Sequence, residues 1–187
     1  MKNQIRKNLI LIRKKLSNKE VFEKSKKIKN RLFGLNDFNQ ASTILFYVSY
    51  NNEVYTHEMI KELLTGNKEI VVPIANKKNR SLTLSKLDNW DDLTIGAYNI
   101  LEPKKDRINE VNLDCIDLII VPGVGFDENG NRIGHGKGYY DKLLKNSKQA
   151  TSIGLSFECQ IFENIPTGKY DIPVNIIVTE KRVIKNY

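Results

Sequence analysis

Six of the chain's eleven glycines fall in one stretch, Val121-Pro-Gly-Val-Gly-Phe-Asp-Glu-Asn-Gly-Asn-Arg-Ile-Gly-His-Gly-Lys-Gly-Tyr-Tyr-Asp141, and this stretch constrains the fold more than any other. Cys115 to Val121, just before it, is an apolar run broken only by Asp117 and reads as a buried strand. Tyr139 to Leu144, just after it, reads as the first turns of a helix. A strand therefore feeds a glycine-rich loop, which feeds a helix. Glycines let the backbone take φ > 0 and let N–H groups approach an anion closely. A helix start adds free N–H donors and the positive end of a dipole. Lys137 and Arg132 bring cations, and Asp127 and Asp141 are candidate Mg²⁺ ligands. Local chemistry leaves two readings open, a phosphate-binding loop and a structural glycine turn.

Two familiar phosphate motifs do not fit. A Walker loop anchored on Gly136-Lys137 would need Gly where Asn131 stands and Ser or Thr where Gly138 stands. A dinucleotide fingerprint begun by Gly123 and Gly125 meets Glu128 at its third place.

A chain of 187 residues predicts one domain, over residues 1–187, with a sizeable core. Apolar content is 40% and charged content 28%, ordinary for a globular protein, and no apolar run approaches the roughly 20 residues of a membrane span. Met1 to Ser17 is basic but helical in pattern and lacks a small-residue cleavage site, so it reads as part of the fold and not as a signal peptide. Cys115 and Cys159 define neither a disulfide framework nor a zinc site, which predicts a reducing, cytoplasmic setting. The net charge of +8 is spread among many asparagines without an aromatic-interleaved basic face, so nucleic acid and membrane are not expected partners.

Along the chain, Ile5, Leu9, Ile12 and Leu16 form a helical stripe over residues 2–16. At about 100° per residue, Lys2, Arg6 and Arg13 fall together beside that stripe. They are either a solvated face or a ligand-facing row. Ser17-Asn-Lys-Glu20 is a capping box for a second helix through Leu32, with Gly34 as its C-terminal stop. Thr43 to Val48 predicts a strand, Thr56 a cap for a helix to Leu64, and Glu69 to Pro73 and Ser81 to Leu87 two more strands. Ala150 to Ser156 and Tyr170 to Glu180 predict the last strands, while Trp90 to Pro103 and Lys104 to Glu110 read as connections. Strands alternating with helices predict an α/β, Rossmann-like layered fold with a mainly parallel central sheet flanked by helices. Ligands of such sheets sit at the carboxyl ends of the strands, here Val48 to Glu53, Pro73 and its successors, and the 122–141 loop. Glu53 is then either a solvated carboxylate or an acceptor for N–H donors of a ligand.

Asp117-Leu-Ile-Ile-Val-Pro-Gly-Val-Gly-Phe-Asp127 followed by Gly130-Asn-Arg-Ile-Gly-His-Gly-Lys-Gly-Tyr-Tyr-Asp141 resembles the signature of the 5-formyltetrahydrofolate cyclo-ligase family, also called 5,10-methenyltetrahydrofolate synthetase. The Lys2-x-x-x-Arg6 start, Tyr98-Asn-Ile-Leu-Glu-Pro103, Phe157-Glu-Cys-Gln160 and Tyr170-Asp-Ile-Pro-Val-Asn-Ile-Ile-Val-Thr-Glu180 resemble further family segments. The likeness is strong at 117–143 and weak at 76–112. This chain departs from the family pattern with Asn99 in place of a usual Gly, Tyr170 in place of His, and Asn175 at a second acidic position.

The resemblance implies an ATP- and Mg²⁺-dependent ligase that converts 5-formyltetrahydrofolate to 5,10-methenyltetrahydrofolate, ADP and phosphate, acting as a monomer. It implies an ATP site formed by Lys2, Arg6, Gly134, His135, Gly136, Lys137, Gly138, Tyr139 and Tyr140. Lys137 and Arg132 would offset charge on the moving phosphoryl group. It implies a folate site of Val48, Glu53, Tyr98 and Tyr139, and metal ligands among Asp141, Asp171 and Asn175. Of the tyrosine pair, one would reach folate or phosphate and the other would pack inward. This reaction requires no proton transfer from His135. A nucleotide-binding regulator without catalysis would use the same loop and remains an alternative, with a nucleic-acid-binding protein ranked behind it.

Overall fold

The computed structural model describes residues 2–186, so residues 1 and 187, the ends of the expected domain, lie outside the described residues. In chain order the elements are α1 (Lys2–Lys14), α2 (Asn18–Phe33), α3 (Asn36–Gln40), β1 (Thr43–Leu45), α4 (His57–Leu64), β2 (Glu69–Asn76), β3 (Ser81–Lys86), β4 (Leu93–Ile95), β5 (Leu101–Pro103), β6 (Leu118–Val121), β7 (Gly125–Asp127), β8 (Arg132–Ile133), α5 (Tyr139–Asn146), β9 (Thr151–Leu155), β10 (Ile161–Phe162), β11 (Ile176–Val178) and β12 (Val183–Lys185).

The central sheet has seven strands in the order β12-β11-β9-β6-β1-β2-β3. From β11 to β2 every pairing is parallel. The two edge strands, β12 and β3, are antiparallel to their neighbours, as tight hairpins require. Side chains alternate through the sheet with period two. Ile44, Phe46, Leu118, Ile120, Ile153 and Ile176 face a layer built by α2 and α4, which contribute Ile28, Leu32, Met59 and Ile60. Leu45, Val71, Ile119, Val121 and Ile177 face Leu143 and Leu144 of α5. Each of these fully buried strand residues contributes roughly 1.5–3 kcal/mol. The result is a three-layer α/β architecture whose strands read as nearly continuous apolar runs because both faces are covered.

Helix α1 belongs to neither layer. Its Leu9 packs with Val124, Ile133 and Ile165 on the small sheet β10-β7-β8. Gly125 permits this contact, since a Cβ there would lie 2.4 Å from Leu9 Cδ1.

Several local expectations are corrected. Ser17 and Glu20 form the expected capping box, and Gly34 ends α2 in a right-handed conformation, φ −85°. Thr56 stands at the N-cap position of α4, but its side chain makes no capping hydrogen bond. Its hydroxyl donates to the Tyr47 carbonyl at 2.8 Å and accepts from Ser49 N–H at 3.0 Å, which braces the exit from β1. The strand expected at 43–48 pairs regularly only to Leu45. The segment after β6 is no plain loop but carries the β7–β8 hairpin. Asp127 is wholly buried there and accepts from Asn129 N–H, Asn131 N–H, the Asn131 side chain and Ile165 N–H. It is a turn-forming carboxylate and has no free face for Mg²⁺.

Strand β1 continues to β2 on one side, and β6 pairs with β1 on the other. β1 and β6 run parallel, but the order in which successive strands join the sheet reverses between them, and the carboxyl ends of these two strands flank a crevice.

Candidate active site

A cleft of about 740 Å³ opens at that switch point. One wall is the β1 exit, with Tyr47, Val48, Tyr50 and Glu53. The opposite wall is the 132–141 segment, and α1 closes one end with Lys2 and Arg6. The β4–β5 hairpin and its turn close the other with Tyr98, Asn99, Ile100 and Glu102. Of the residues singled out from sequence, all but Arg13, Asp127 and Asn175 line this cleft.

At its basic end the loop is shaped by glycines. Gly136 has φ 88° and Gly138 has φ 74°, a left-handed conformation that L-residues take at a cost. Gly138 is the N-cap of α5, so the free N–H groups at the start of that helix face the cleft. Arg6 lies under the loop. Its Nε donates to the Gly134 carbonyl at 2.8 Å, and its guanidinium would sit 3.4 Å from any Cβ at Gly136. Among the described residues Arg6, Lys77 and Lys137 pair with no carboxylate, so the cleft presents three uncompensated cations beside a row of backbone donors.

Two further cations are paired. Arg132, buried, donates from Nη2 to Asp141 Oδ1 at 2.7 Å and from Nη1 to the Pro122 carbonyl at 3.2 Å, while its Nε has no protein partner. Lys2 pairs with Asp171. Burial pushes the Asp171 carboxyl up, but hydrogen bonds from Lys2 and from Gly168 N–H outweigh this and hold it below the usual range. Asp141 and Asp171 both place carboxylate oxygens on the cleft wall. No cluster of three or more His, Cys, Asp or Glu occurs among the described residues. Mg²⁺ dehydrates reluctantly and commonly takes one or two carboxylates plus substrate phosphates, so this donor set fits a metal brought in on a nucleotide. Asn175 is excluded from it. It stands at the amino end of β11, and its Oδ1 accepts from the N–H of Ser152 at 2.9 Å and the hydroxyl at 2.8 Å.

The aromatic end is organised by Glu102. Its carboxylate accepts from Ala75 N–H at 2.9 Å and Ala97 N–H at 3.1 Å, which fixes the turn that presents Tyr98. Gly96 is needed there, because a Cβ would lie 2.2 Å from Glu102 Oε2. Tyr98 and Asn99 both have φ 60°. The Tyr98 ring carries the Lys137 ammonium at 3.5 Å and the Lys77 ammonium at 4.7 Å from its centroid. Its hydroxyl lies 3.2 Å from that of Tyr139. That contact, followed by Lys137, pulls the Tyr98 phenol down, and the same contact pushes the Tyr139 phenol up. Tyr139 is thus the outward member of the tyrosine pair. Tyr140 packs inward with both main clusters, and its buried hydroxyl has no protein partner. Burial, then the nearby Glu53 charge, pushes the Tyr140 phenol well up.

Glu53 stands between the two ends. Its Oε2 accepts from Tyr50 N–H at 3.2 Å, and its Oε1 lies 3.3 Å from His135 Nε2. Sequence reasoning did not find this contact, because only the folded chain brings residue 135 to residue 53. It also did not find Lys77 or Glu102 as site residues. The clustered cations of the 77–80 turn were the available signal for Lys77.

The 5-formyltetrahydrofolate cyclo-ligase family model matches residues 1–180. The chain is 31% identical over 177 residues to the 5-formyltetrahydrofolate cyclo-ligase of Haemophilus influenzae, covering 92% of this chain and 94% of that protein. It is 29% identical over 175 residues to the mouse enzyme of that name, covering 88% and 86%. The structure of the Aquifex aeolicus 5,10-methenyltetrahydrofolate synthetase superposes with a TM-score of 0.86 at 34% identity, over 98% of this chain and 92% of that one. The structure from Mycoplasma pneumoniae, at 24% identity and a TM-score of 0.77, shares the fold. Together with the glycine loop at the start of α5, these likenesses show that the chain belongs to the 5-formyltetrahydrofolate cyclo-ligase family.

Proposed function

We propose that this protein closes the imidazoline ring of 5-formyltetrahydrofolate, using ATP, to give 5,10-methenyltetrahydrofolate, ADP and phosphate. The observation that carries this reading is a single cleft holding a cationic glycine loop at one end and an aromatic, carboxylate-bearing recess at the other. A ligase must bring a nucleotide phosphate and a folate formyl group into one space, and this cleft has the chemistry for both.

The chemical difficulty is that a formamide carbonyl is a poor electrophile and its oxygen a poor leaving group. The formyl oxygen attacks the γ-phosphorus, ADP leaves, and an iminium phosphate forms at N5. N10 then attacks the activated carbon, loses its proton, and phosphate departs with the C–O electron pair. Both reacting groups belong to the substrates, so the protein's work is positioning and charge stabilisation. Backbone N–H groups from Gly134 to Gly138 cradle the phosphates, together with the side chains of His135, Lys2 and Arg6. Lys137 and Arg132 offset charge as the phosphoryl group moves, with Lys137 the more mobile of the two because Arg132 is tied to Asp141. Asp141 and Asp171 would hold a Mg²⁺ carried by the nucleotide, which would supply further charge neutralisation on the phosphates. Val48 and Tyr98 flank the pterin, Tyr139 meets its edge, and Glu53 accepts from its N–H donors. His135, beside Glu53, links the phosphate loop to the folate recess without transferring a proton.

The cleft is complete within one chain, which supports a monomer. The two free cysteines, Cys115 and Cys159, support a reducing compartment. The described residues contain no helix long and apolar enough to cross a membrane.

The test is absorbance. The methenyl product is an extended amidinium that absorbs in the near ultraviolet where the formyl substrate does not. Growth of that band with ATP, Mg²⁺ and 5-formyltetrahydrofolate, lost when ATP is omitted, is the expected result. Folded protein that binds ATP and yields no band would leave the nucleotide-binding regulator in its place.

A further inference from the structure

Arg13 stands apart from the other cations of α1. Lys2 and Arg6 line the cleft, whereas Arg13 is 4% exposed and lies behind it, against the carboxylate of Glu53. Its Nη1 is 3.9 Å from Glu53 Oε1 and makes no hydrogen bond to any described group. Glu53 itself is 6% exposed. A guanidinium and a carboxylate so deeply buried cost several kcal/mol each to desolvate, and replacing such a pair by apolar residues is often neutral or stabilising. A purely structural role therefore accounts poorly for a pair this loosely joined. Its geometry does suit a carboxylate that must stay ionised, and keep its hydrogen-bonding oxygens available, until a ligand arrives.

We propose that Arg13 is a positioning residue for folate recognition: it acts through Glu53, holding that buried carboxylate charged and aimed into the cleft so that it can accept from the N–H donors of the pterin. The proposal rests on the cyclo-ligase reading of the cleft. The groups facing Glu53 are consistent with it. Arg13 on α1 is its sole fixed cation among the described residues, His135 touches it from the phosphate loop, and Tyr47, Tyr50 and Tyr140 bring phenols that stay neutral because burial pushes each of them up. Removing Arg13 would leave a desolvated carboxylate with no permanent counter-charge, and such a group takes up a proton. A protonated Glu53 offers one donor and fewer acceptors to a heterocycle that itself presents donors.

The experiment is equilibrium binding of 5-formyltetrahydrofolate and, separately, of ATP, to the parent protein, Arg13→Met, Arg13→Lys, Glu53→Gln and the double variant Arg13→Met/Glu53→Gln. Each is followed from about pH 5.5 to 8.5, a range that brackets a raised carboxyl pKa. Arg13→Met is expected to weaken folate binding about tenfold near neutral pH, with recovery as pH rises, while ATP binding stays within about twofold. Arg13→Lys is expected to restore most of the affinity. In the Glu53→Gln background, Arg13→Met should change folate binding by less than about twofold, because no carboxylate is left to hold. The double variant also buries no unpaired charge, so the comparison survives if Arg13→Met alone fails to fold. Equal losses in both backgrounds, or a folded Arg13→Met with the parent's affinity and pH profile, would overturn the role of Arg13 and leave the cyclo-ligase reading standing. A folded parent that binds no 5-formyltetrahydrofolate would overturn that reading and the Arg13 proposal with it.

Discussion

The Lys137 ammonium rests 3.5 Å from the centroid of the Tyr98 ring, so a cation of the glycine-rich loop lies on the aromatic surface at the other end of the cleft. Lys137 is exposed and pairs with no carboxylate among the described residues. A nucleotide phosphate offers it a stronger partner than the ring does, since a cation–π contact at an exposed site is worth only about 0.5–1 kcal/mol. Lys137→Ala is therefore expected to lower kcat by about a hundred- to a thousandfold through lost charge stabilisation. Its thermal unfolding should change by less than about 0.5 kcal/mol. Steady-state kinetics beside a melting curve check both.

Tyr98 is expected to act through its ring. Tyr98→Phe keeps the aromatic face and loses only the hydroxyl contact with Tyr139. Tyr98→Ala removes the face and should raise KM for the folate by about two- to tenfold more than Tyr98→Phe does, the worth of one aromatic contact. KM for ATP should move little in either variant. Equal folate KM values for the two variants would contradict the stacking role.

Gly136 and Gly138 separate strain from ligand geometry. Both have positive φ, so alanine at either costs about 1–2 kcal/mol of strain. A Cβ at Gly138 would meet nothing within 4 Å, whereas one at Gly136 would rest in van der Waals contact on the Arg6 guanidinium at 3.4 Å and cover part of it. Gly136→Ala should thus weaken ATP binding more than Gly138→Ala does at similar loss of stability. Isothermal titration with ATP, paired with denaturant unfolding, makes the comparison.

Acid sensitivity should report on Glu180. Burial pushes its carboxyl up, but the Lys24 ammonium and the Glu158 N–H outweigh that and hold it below its ordinary value. A depressed carboxylate contributes stability that is fully present above about pH 4.3, the unfolded value, and is lost as pH falls through the lower folded value. Glu180→Gln should be less stable than the parent near neutral pH, and the two stability curves should converge as pH falls through the lowered folded value. Parallel curves across that range would contradict the linkage.

Much of the fold was legible in local sequence. Ser17 and Glu20 announced α2 through a reciprocal cap, and strands alternating with helices predicted the mainly parallel central sheet. Strands of two or three residues such as β8, β10 and β12 carry too few positions for a period to register. Thr56 looked like a helix cap because its spacing permits one, yet tertiary contacts with Tyr47 and Ser49 captured its hydroxyl. Most of the cleft residues were legible through the resemblance to the family, including Glu53, Tyr98 and Lys137. Asn175 was misplaced because its partner, Ser152, lies on a neighbouring strand. Asp127 was misread because its burial depends on Ile165 closing over it. Both errors concern polar side chains whose roles are set by contacts distant in sequence.

The central claim is that the formyl oxygen is activated by phosphorylation within this cleft. The most direct measurement supplies 5-formyltetrahydrofolate with heavy oxygen in the formyl group and follows the label by mass spectrometry of the inorganic phosphate after ATP-dependent turnover. Label in the phosphate is the predicted result, because the oxygen that attacks the γ-phosphorus leaves bonded to it. Turnover with unlabelled phosphate would contradict the account and point to loss of the formyl oxygen as water.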